Sequence, residues 1–379
     1  MAALTVREIP ADEHLAFVTA RSRETSVSFL QCPSWAAVKS EWRSQRLGWY
    51  DAHGALVGTG LVLLRQVPKV KRFLAYLPEG PVVDWTGGEA GELADWLTPM
   101  TEHLRDAGAF GIKMGPLVIR RRWSAATVKA AVADGSAKRL GDVPPDSEDP
   151  AAAQVAATLT RLGWRPPSGD EGFAAGQPQF VFQVPLAGRT EEELLKGFNQ
   201  LWRRNVKKAD KAGVEVSLGT EADLADFHRL YLETAERDHF TGRPLAYFQR
   251  MWTAMRAEDE NRIRLYLARH EGDLVAATTL VQVGRHAWYS YGASSTAKRE
   301  VRGSNAVQWR MLRDAAAAGA EVYDLRGITD TLSEDDPHCG LIQFKLGTGG
   351  EAVEYLGEWD LPLNKVLFKA FEVYMGRRG

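Results

Sequence analysis

Phe344 and Lys345 stand in the segment FKLGTGG, where an aromatic ring and a cation precede a run of flexible glycines. Glycines let other backbone approach closely, and a lysine there can stabilise negative charge developing on an attacked carbonyl oxygen. The plain alternative is an exposed lysine at a hairpin turn. In LWRRNVKKADKAG, Arg203, Arg204, Lys207, Lys208 and Lys211 fall on about two and a half helical turns. Phe198, Leu201, Trp202, Val206 and Ala209 lie close to helical spacing and are expected to form the buried stripe, which turns the cations to solvent. Such cations can neutralise nucleic-acid phosphates, or simply complement the negative end of the helix dipole. HAWYSYGAS carries Trp288, Tyr289 and Tyr291. Strand alternation predicts that the two tyrosines share a face, either as a peptide-binding wall or as strand core.

Composition narrows the chemistry. The net charge of −2 gives no global attraction for nucleic acid or anionic lipid, so a polyanion must meet local basic patches. Two cysteines, Cys32 and Cys339, cannot alone form a zinc site or a disulfide framework, and no metal or cofactor is expected. The N-terminal MAALTVREIPADEH lacks an apolar signal core, and no apolar run reaches about 18 residues. The expectation is a soluble cytoplasmic protein.

The elements that must position these residues occur twice. YDAHGALVGTGLVLL, FLAYLPEGPVV and a helix ending in DAGAFGIKMG are matched by ARHEGDLVAATTLVQV, HAWYSYGAS and a helix ending in AAGAEVYDLRG. Each copy reads strand, turn, strand, strand, loop, helix, strand, so the fold class is α/β (α+β) with two tandem domains. At 379 residues, two domains are also the natural size. Residues 141–179, rich in Gly, Pro and Asp, read as connection. The expected division is 1–178, 179–357 and a C-terminal helix in 358–379 packing on the first domain. A single helix is expected over 190–213, from an N-cap at Thr190 to a stop at Gly213. The last segment, PLNKVLFKAFEVYMGRR, is amphipathic and basic, and can serve core packing or peripheral contact with an anionic membrane.

One loop, KREVRGSNAVQW, places Gly303 before a helix N-terminus, a setting that presents backbone N–H groups to phosphate. In acetyltransferases of the GNAT type the pattern [QR]-x-x-G-x-[GA] holds the coenzyme A pyrophosphate. Here the matching positions are Glu300, Gly303 and Asn305. The glutamate would repel phosphate and the last small residue is missing, as in an acyltransferase scaffold whose coenzyme site has decayed.

Taken together, QCPSWAAVKSEW, FLAYLPEGPVV, GFNQLWRRNVKKADKAGVEV, RDHFTGRPLAYFQRMW, WYSYGASS, EVYDLRGI and GLIQFKLGTGG resemble the FemABX family of peptidoglycan bridge-forming aminoacyltransferases over nearly the whole chain. Within it the likeness is nearest the FemX-like lipid II:glycine glycyltransferases. The resemblance implies two GNAT-like domains without acetyl coenzyme A and, here, without the coiled-coil arm of some members. It implies transfer of an amino acid, by family analogy glycine, from aminoacyl-tRNA (Gly-tRNA) to the side-chain amine of stem-peptide residue 3. The acceptor is lipid II or the soluble UDP-MurNAc-pentapeptide, which sets the enzyme in the cytoplasm or at the inner face of the membrane.

By motif, the resemblance assigns Trp35 and Lys39 of W-x-x-x-K, Arg243 and Tyr247 of GRPLAYF, and Tyr289 or Tyr291 to the precursor. Arg243 and Tyr247, at i,i+4, would share a face if the turn is helical. Phe344 and Lys345 match the pair near the reacting carbonyl, and the 203–211 cations are the tRNA candidates. One departure stands out. Some relatives carry an aspartate at the end of the first-domain repeat strand, where this chain has Gly115 in IKMGP. An essential aspartate base is therefore not expected, and water or substrate can take the proton. The competing readings are an acetyl-CoA-dependent N-acetyltransferase and a noncatalytic RNA-binding module.

Overall fold

The computed structural model describes residues 4–67, 70–87, 91–166, 176–333 and 339–376. The repeat read in the sequence is built as the same six-strand order twice, the second copy being part of a nine-stranded sheet. In the first unit the strand order is Thr5–Glu8, Arg43–Tyr50, Leu56–Gln66, Phe73–Leu77, Ala109–Met114, Trp359–Pro362. Neighbours are antiparallel except Phe73–Leu77 and Ala109–Met114, which run parallel. In the second unit the order Glu215–Leu218, Ile263–His270, Asp273–Val283, His286–Ser294, Val322–Gly327, Phe180–Pro185 repeats it, with His286–Ser294 and Val322–Gly327 as the parallel pair.

A parallel pair requires a crossover, and each unit supplies a helix for it. Leu93–Asp106 buries Trp96, Leu97, Met100 and Leu104 in the first unit. Gly303–Ala317 buries Val307, Met311, Leu312 and Ala315 in the second. The first core gathers Leu47, Trp49, Val62, Ile112 and Trp359 around the first of these helices. The C-terminal helix Lys365–Gly376 sets Phe368 and Phe371 against Phe110 and Leu74 of the same unit. Its Val366 and Val373 stay exposed, at 79% and 51%. Arg377 and Arg378 of its basic end lie outside the described residues.

The chain divides differently from the sequence boundaries. The first unit takes 1–122, 145–180 and 353–379, and the second takes 123–144 and 181–352. Residues 123–144 join the second unit through backbone pairing that local sequence does not reveal. Ala125 N–H donates to Gly350 O at 2.9 Å, Leu140 N–H to Asp330 O at 2.6 Å and Leu332 N–H to Lys138 O at 2.9 Å.

The helix expected over 190–213 is two helices, Glu191–Gly197 and Gln200–Lys211. Phe198 is extended at ψ 143°, and Asn199 caps the second helix by accepting the Trp202 N–H at 2.8 Å. Thr190 caps the first, in a capping box with Glu193. Among the described residues no helix exceeds the 15 of Gly303–Ala317, and no coiled-coil arm is present.

Candidate active site

In the first unit Trp35 and Lys39 belong to the short helix Ser34–Val38 and its C-cap. Lys39 N–H donates to Trp35 O at 3.0 Å, and the ammonium lies 5.5 Å from the Trp35 ring centroid. Trp35 is buried edge-on to Phe29, so the indole fixes the end of the helix and the lysine stem lies over it.

In the second unit Arg243, Tyr247 and Tyr291 come together. Arg243 precedes the helix Leu245–Glu258, whose N-cap is Pro244, so it does not share a helical face with Tyr247. Its guanidinium instead folds over the Tyr247 ring at 5.4 Å, and its carbonyl lies 3.0 Å from His228 Nε2. The Tyr247 and Tyr291 hydroxyls are 3.0 Å apart.

Tyr289 does not join them. Thr279 pairs with Tyr291 and the adjacent Leu280 with Tyr289, so Ser290 is an extra residue in a β-bulge. The bulge breaks the alternation, and the tyrosines leave on opposite faces. Tyr291 packs against Tyr231, Tyr247 and Phe248. Tyr289 lies beside Gly292, and burial, assisted by the Asp238 charge, pushes its hydroxyl up to about 12.

Lys345 sits in the last turn of the helix Cys339–Leu346 and is 3% exposed, which removes the hairpin-turn alternative. Its ammonium donates to the carbonyls of Gly327 at 2.5 Å and Arg326 at 3.2 Å. Burial pushes this amine down to about 7; the Asp324 charge pulls it back up and the Arg326 charge lowers it further. Phe344 packs on Trp202 with ring centroids 4.7 Å apart, and Trp202 Nε1 donates to Phe344 O at 2.9 Å. The glycines that follow are explained by contact. A Cβ on Gly347 would strike the Trp202 indole, and one on Gly349, where φ is 70°, would strike the Gly197 carbonyl.

Beside this pair lies a cleft of about 700 Å³ whose lining includes Leu201, Trp202, Asn305 and Phe344. Lys129, Arg299 and Arg302 contribute positive charge, with Lys298 paired to Glu271 and Asp273. Lys345 does not line it, although Phe344 and Leu346 on either side of it do. Leu201, expected in the buried stripe, is 60% exposed on the cleft side. The rest of the expected stripe faces inward: Phe198, Trp202 and Ala209 are buried and Val206 is half-buried. Arg204, Lys207, Lys208 and Lys211 are exposed, while Arg203 is half-buried and donates to Lys196 O at 3.1 Å. The uncapped N-terminus of Gly303–Ala317 borders the same cleft.

Sequence reasoning missed a second carboxyl group. The space a side chain at Gly115 would fill is taken by Glu358, whose Cγ lies 3.2 Å from a Cβ built there. Burial raises this carboxyl above its usual range, and the hydrogen bond from Tyr76 at 2.5 Å and the Lys113 charge only partly oppose that. Nearby Lys113 is paired with Asp360 at 3.0 Å. The glycine in IKMGP was the only local sign, because Glu358 arrives from a segment far along the chain. The described residues contain no cluster of side chains able to hold a metal ion.

The sequence pattern of the FemAB family matches residues 9–271 and 256–375. The chain belongs to the FemAB family. A lipid II:glycine glycyltransferase of Staphylococcus epidermidis is 25% identical over 96% of this chain and 94% of its own length. The Staphylococcus aureus enzyme of the same description is 24% identical over 96% and 94%. A FemX crystal structure superposes with a TM-score of 0.80 at 24% identity, covering 97% of this chain and 99% of that one. A tandem GNAT protein from the clavulanic acid biosynthesis pathway reaches a TM-score of 0.53 at 12% identity, over 95% and 99%. The structural likenesses speak for the fold. The FemAB membership, the tandem GNAT-like architecture and the aminoacyltransferase class expected from the sequence are borne out.

Proposed function

We propose that this FemAB enzyme transfers glycine from Gly-tRNA to the side-chain amine of stem-peptide residue 3 of lipid II, forming the first link of an interpeptide bridge. The observation that carries the reading is the match to lipid II:glycine glycyltransferases along 96% of the chain. The tRNA ester is already activated, so the reaction needs no enzyme nucleophile. The neutral acceptor amine attacks the ester carbonyl and gives a tetrahedral oxyanion. Collapse expels the ribose hydroxyl of the tRNA, the amide forms, and the amine loses a proton. The enzyme's tasks are to hold two large substrates in register and to meet the oxyanion with a preset donor.

Lys345 suits the second task. Two of its three N–H groups are held by the Arg326 and Gly327 carbonyls, which orients the third. Phe344 and Trp202 wall the adjoining cleft, and the cations at 204, 207, 208 and 211 with Arg299 and Arg302 supply phosphate contacts for a tRNA end. Trp35, Lys39, Arg243, Tyr247 and Tyr291 are assigned to the precursor's phosphates, sugar and peptide. Tyr289, half-buried on the other face, is left out of this set.

Among the described residues no helix is long and apolar enough to cross a membrane. Contact with a lipid-linked acceptor is therefore assigned to the protein surface, where the helix Lys365–Gly376 exposes Val366 and Val373.

The test is transfer of radiolabelled glycine from charged Gly-tRNA to purified lipid II, with UDP-MurNAc-pentapeptide in parallel. Labelled lipid II is the expected result. Label only on the soluble precursor would move the step, and label on neither would overturn the assignment. Consumption of acetyl coenzyme A would favour an acetyltransferase. Binding of tRNA that ignores aminoacylation and leaves the ester intact would favour an RNA-binding module.

A further inference from the structure

The strand Val322–Gly327 pairs with Phe180–Pro185 through Asp324 with Gln183 and Gly327 with Val181, a step of three residues against two. The surplus is absorbed around Arg326, whose φ of 63° lies in the left-handed region that a side chain disfavours. A strained residue persists only where its surroundings hold it. Here the holding group is Asp324. Its Oδ1 accepts the Arg326 N–H at 2.5 Å, and its Oδ2 accepts from Gln183 Nε2 at 3.0 Å. His286 Nε2 lies 3.4 Å from the same oxygen, and the imidazole is stacked flat on Trp288 at 4.0 Å. Asp324, Gln183, His286 and Lys345 are all at most 3% exposed. The distortion turns the carbonyls of Arg326 and Gly327 onto the Lys345 ammonium.

We propose that Asp324 is a positioning residue for the transfer step: it pins the left-handed Arg326 peptide and so places the two carbonyls that orient Lys345. This rests on the reading of Lys345 as the group that meets the oxyanion. Asp324 does not touch the amine directly and acts through the backbone and through its charge. Among the described residues the charged groups facing Lys345 are Asp324 and Arg326, with His286 beside Asp324. The carboxylate remains ionised inside the protein. Burial works to raise it, but His286, Arg326 and Gln183 together hold it below the usual carboxylate range.

Two substitutions separate the geometric from the electrostatic part. Asp324→Asn keeps an oxygen for the Arg326 N–H but removes the negative charge. Asp324→Ala removes both. With Gly-tRNA and lipid II, Asp324→Asn is expected to lower kcat roughly tenfold or more while both KM values stay within about twofold. If the wild-type rate climbs with pH and flattens as Lys345 loses its proton, that break should move to lower pH in Asp324→Asn, because the carboxylate's attraction for the ammonium is gone.

A substrate-free measurement runs alongside: acetic anhydride labelling of Lys345 relative to exposed Lys207, read by mass spectrometry on protein whose thermal unfolding is checked. Asp324→Ala should raise relative Lys345 labelling severalfold. If Asp324→Ala does not fold, Asp324→Asn decides through kcat and the pH break. Unchanged kcat with an unmoved break overturns the proposal, as does unchanged Lys345 labelling in folded Asp324→Ala. Should wild-type protein transfer no glycine, the functional reading fails, while the labelling still upholds or overturns the link from Asp324 to Lys345.

Discussion

Lys345 is held away from water. Burial drives its amine down to about 7, so both charge states are populated near neutrality. If the ammonium is the working form, the sign of the pH dependence follows. The rate climbs with pH as the acceptor amine deprotonates, then flattens above about 7 as Lys345 loses its proton. Lys345→Met should lower kcat by about 10² or more, the range for losing one oxyanion donor, and its rate should climb without the break. Steady-state kinetics across pH, with circular dichroism to confirm folding, checks both. A full-rate variant would remove Lys345 from the mechanism. The tyrosines make a second contrast. Tyr291→Phe loses the hydroxyl contact with Tyr247 at 3.0 Å and should raise KM for the precursor, whereas Tyr289→Phe should leave it within about twofold. Equal effects would mean that the bulge at Ser290 does not decide which tyrosine meets the substrate.

At the scale of elements, the glycine run after Lys345 holds the lysine helix close to its neighbours. Gly347→Ala would drive a methyl into the Trp202 indole, with a cost of roughly 2 kcal/mol or more from overpacking. Gly340 lies in the same helix with nothing within 4 Å of a built Cβ, so Gly340→Ala should be neutral or slightly stabilising through helix propensity. Urea denaturation of the two variants tests the difference, and equal stability would refute the contact argument. The capping box at Thr190 and the glycine-rich turns were legible as local signals. The break at Phe198 and Asn199 was not, because the residues on either side continue a plausible helical stripe. Only the packing of Trp202 against Phe344 shows which side of that stripe faces inward.

At the scale of the whole molecule, the pH dependence of stability offers a test in the first unit, independent of catalysis. His14 is fully buried on the helix Ala11–Arg21, and burial lowers its imidazole to about 4, with a weaker opposing pull from the Gln31 backbone. The unfolded chain therefore binds more protons than the folded one below the ordinary value of 6.5. Stability is lost as pH falls from there toward 4, by about 2 kcal/mol between pH 7 and 5. A His14→Leu variant should show a fall between those pH values smaller by about that amount in chemical denaturation. An unchanged pH slope would show that the imidazole is not neutral in the folded state.

The tandem repeat, the family and the aminoacyltransferase class were readable from the chain, because the repeat recurs as a pattern of elements and the family as a set of motifs that is specific in combination. Four outcomes were not. Tyr289 and Tyr291 part company because a bulge inserts one residue into a register set by the partner strand. Residues 123–144 join the second unit through hydrogen bonds to segments some 190 to 225 positions away. The Gly115 gap is filled by Glu358 from the segment just before the strand Trp359–Pro362, near the other end of the chain. Asp324, unremarkable in EVYDLRG, becomes the buried partner of Gln183 and the pin of the Arg326 turn. Local sequence carries periodicity and turn chemistry. Register, strand pairing between distant segments and the burial of charge depend on what lies opposite, and only the tertiary structure supplies that.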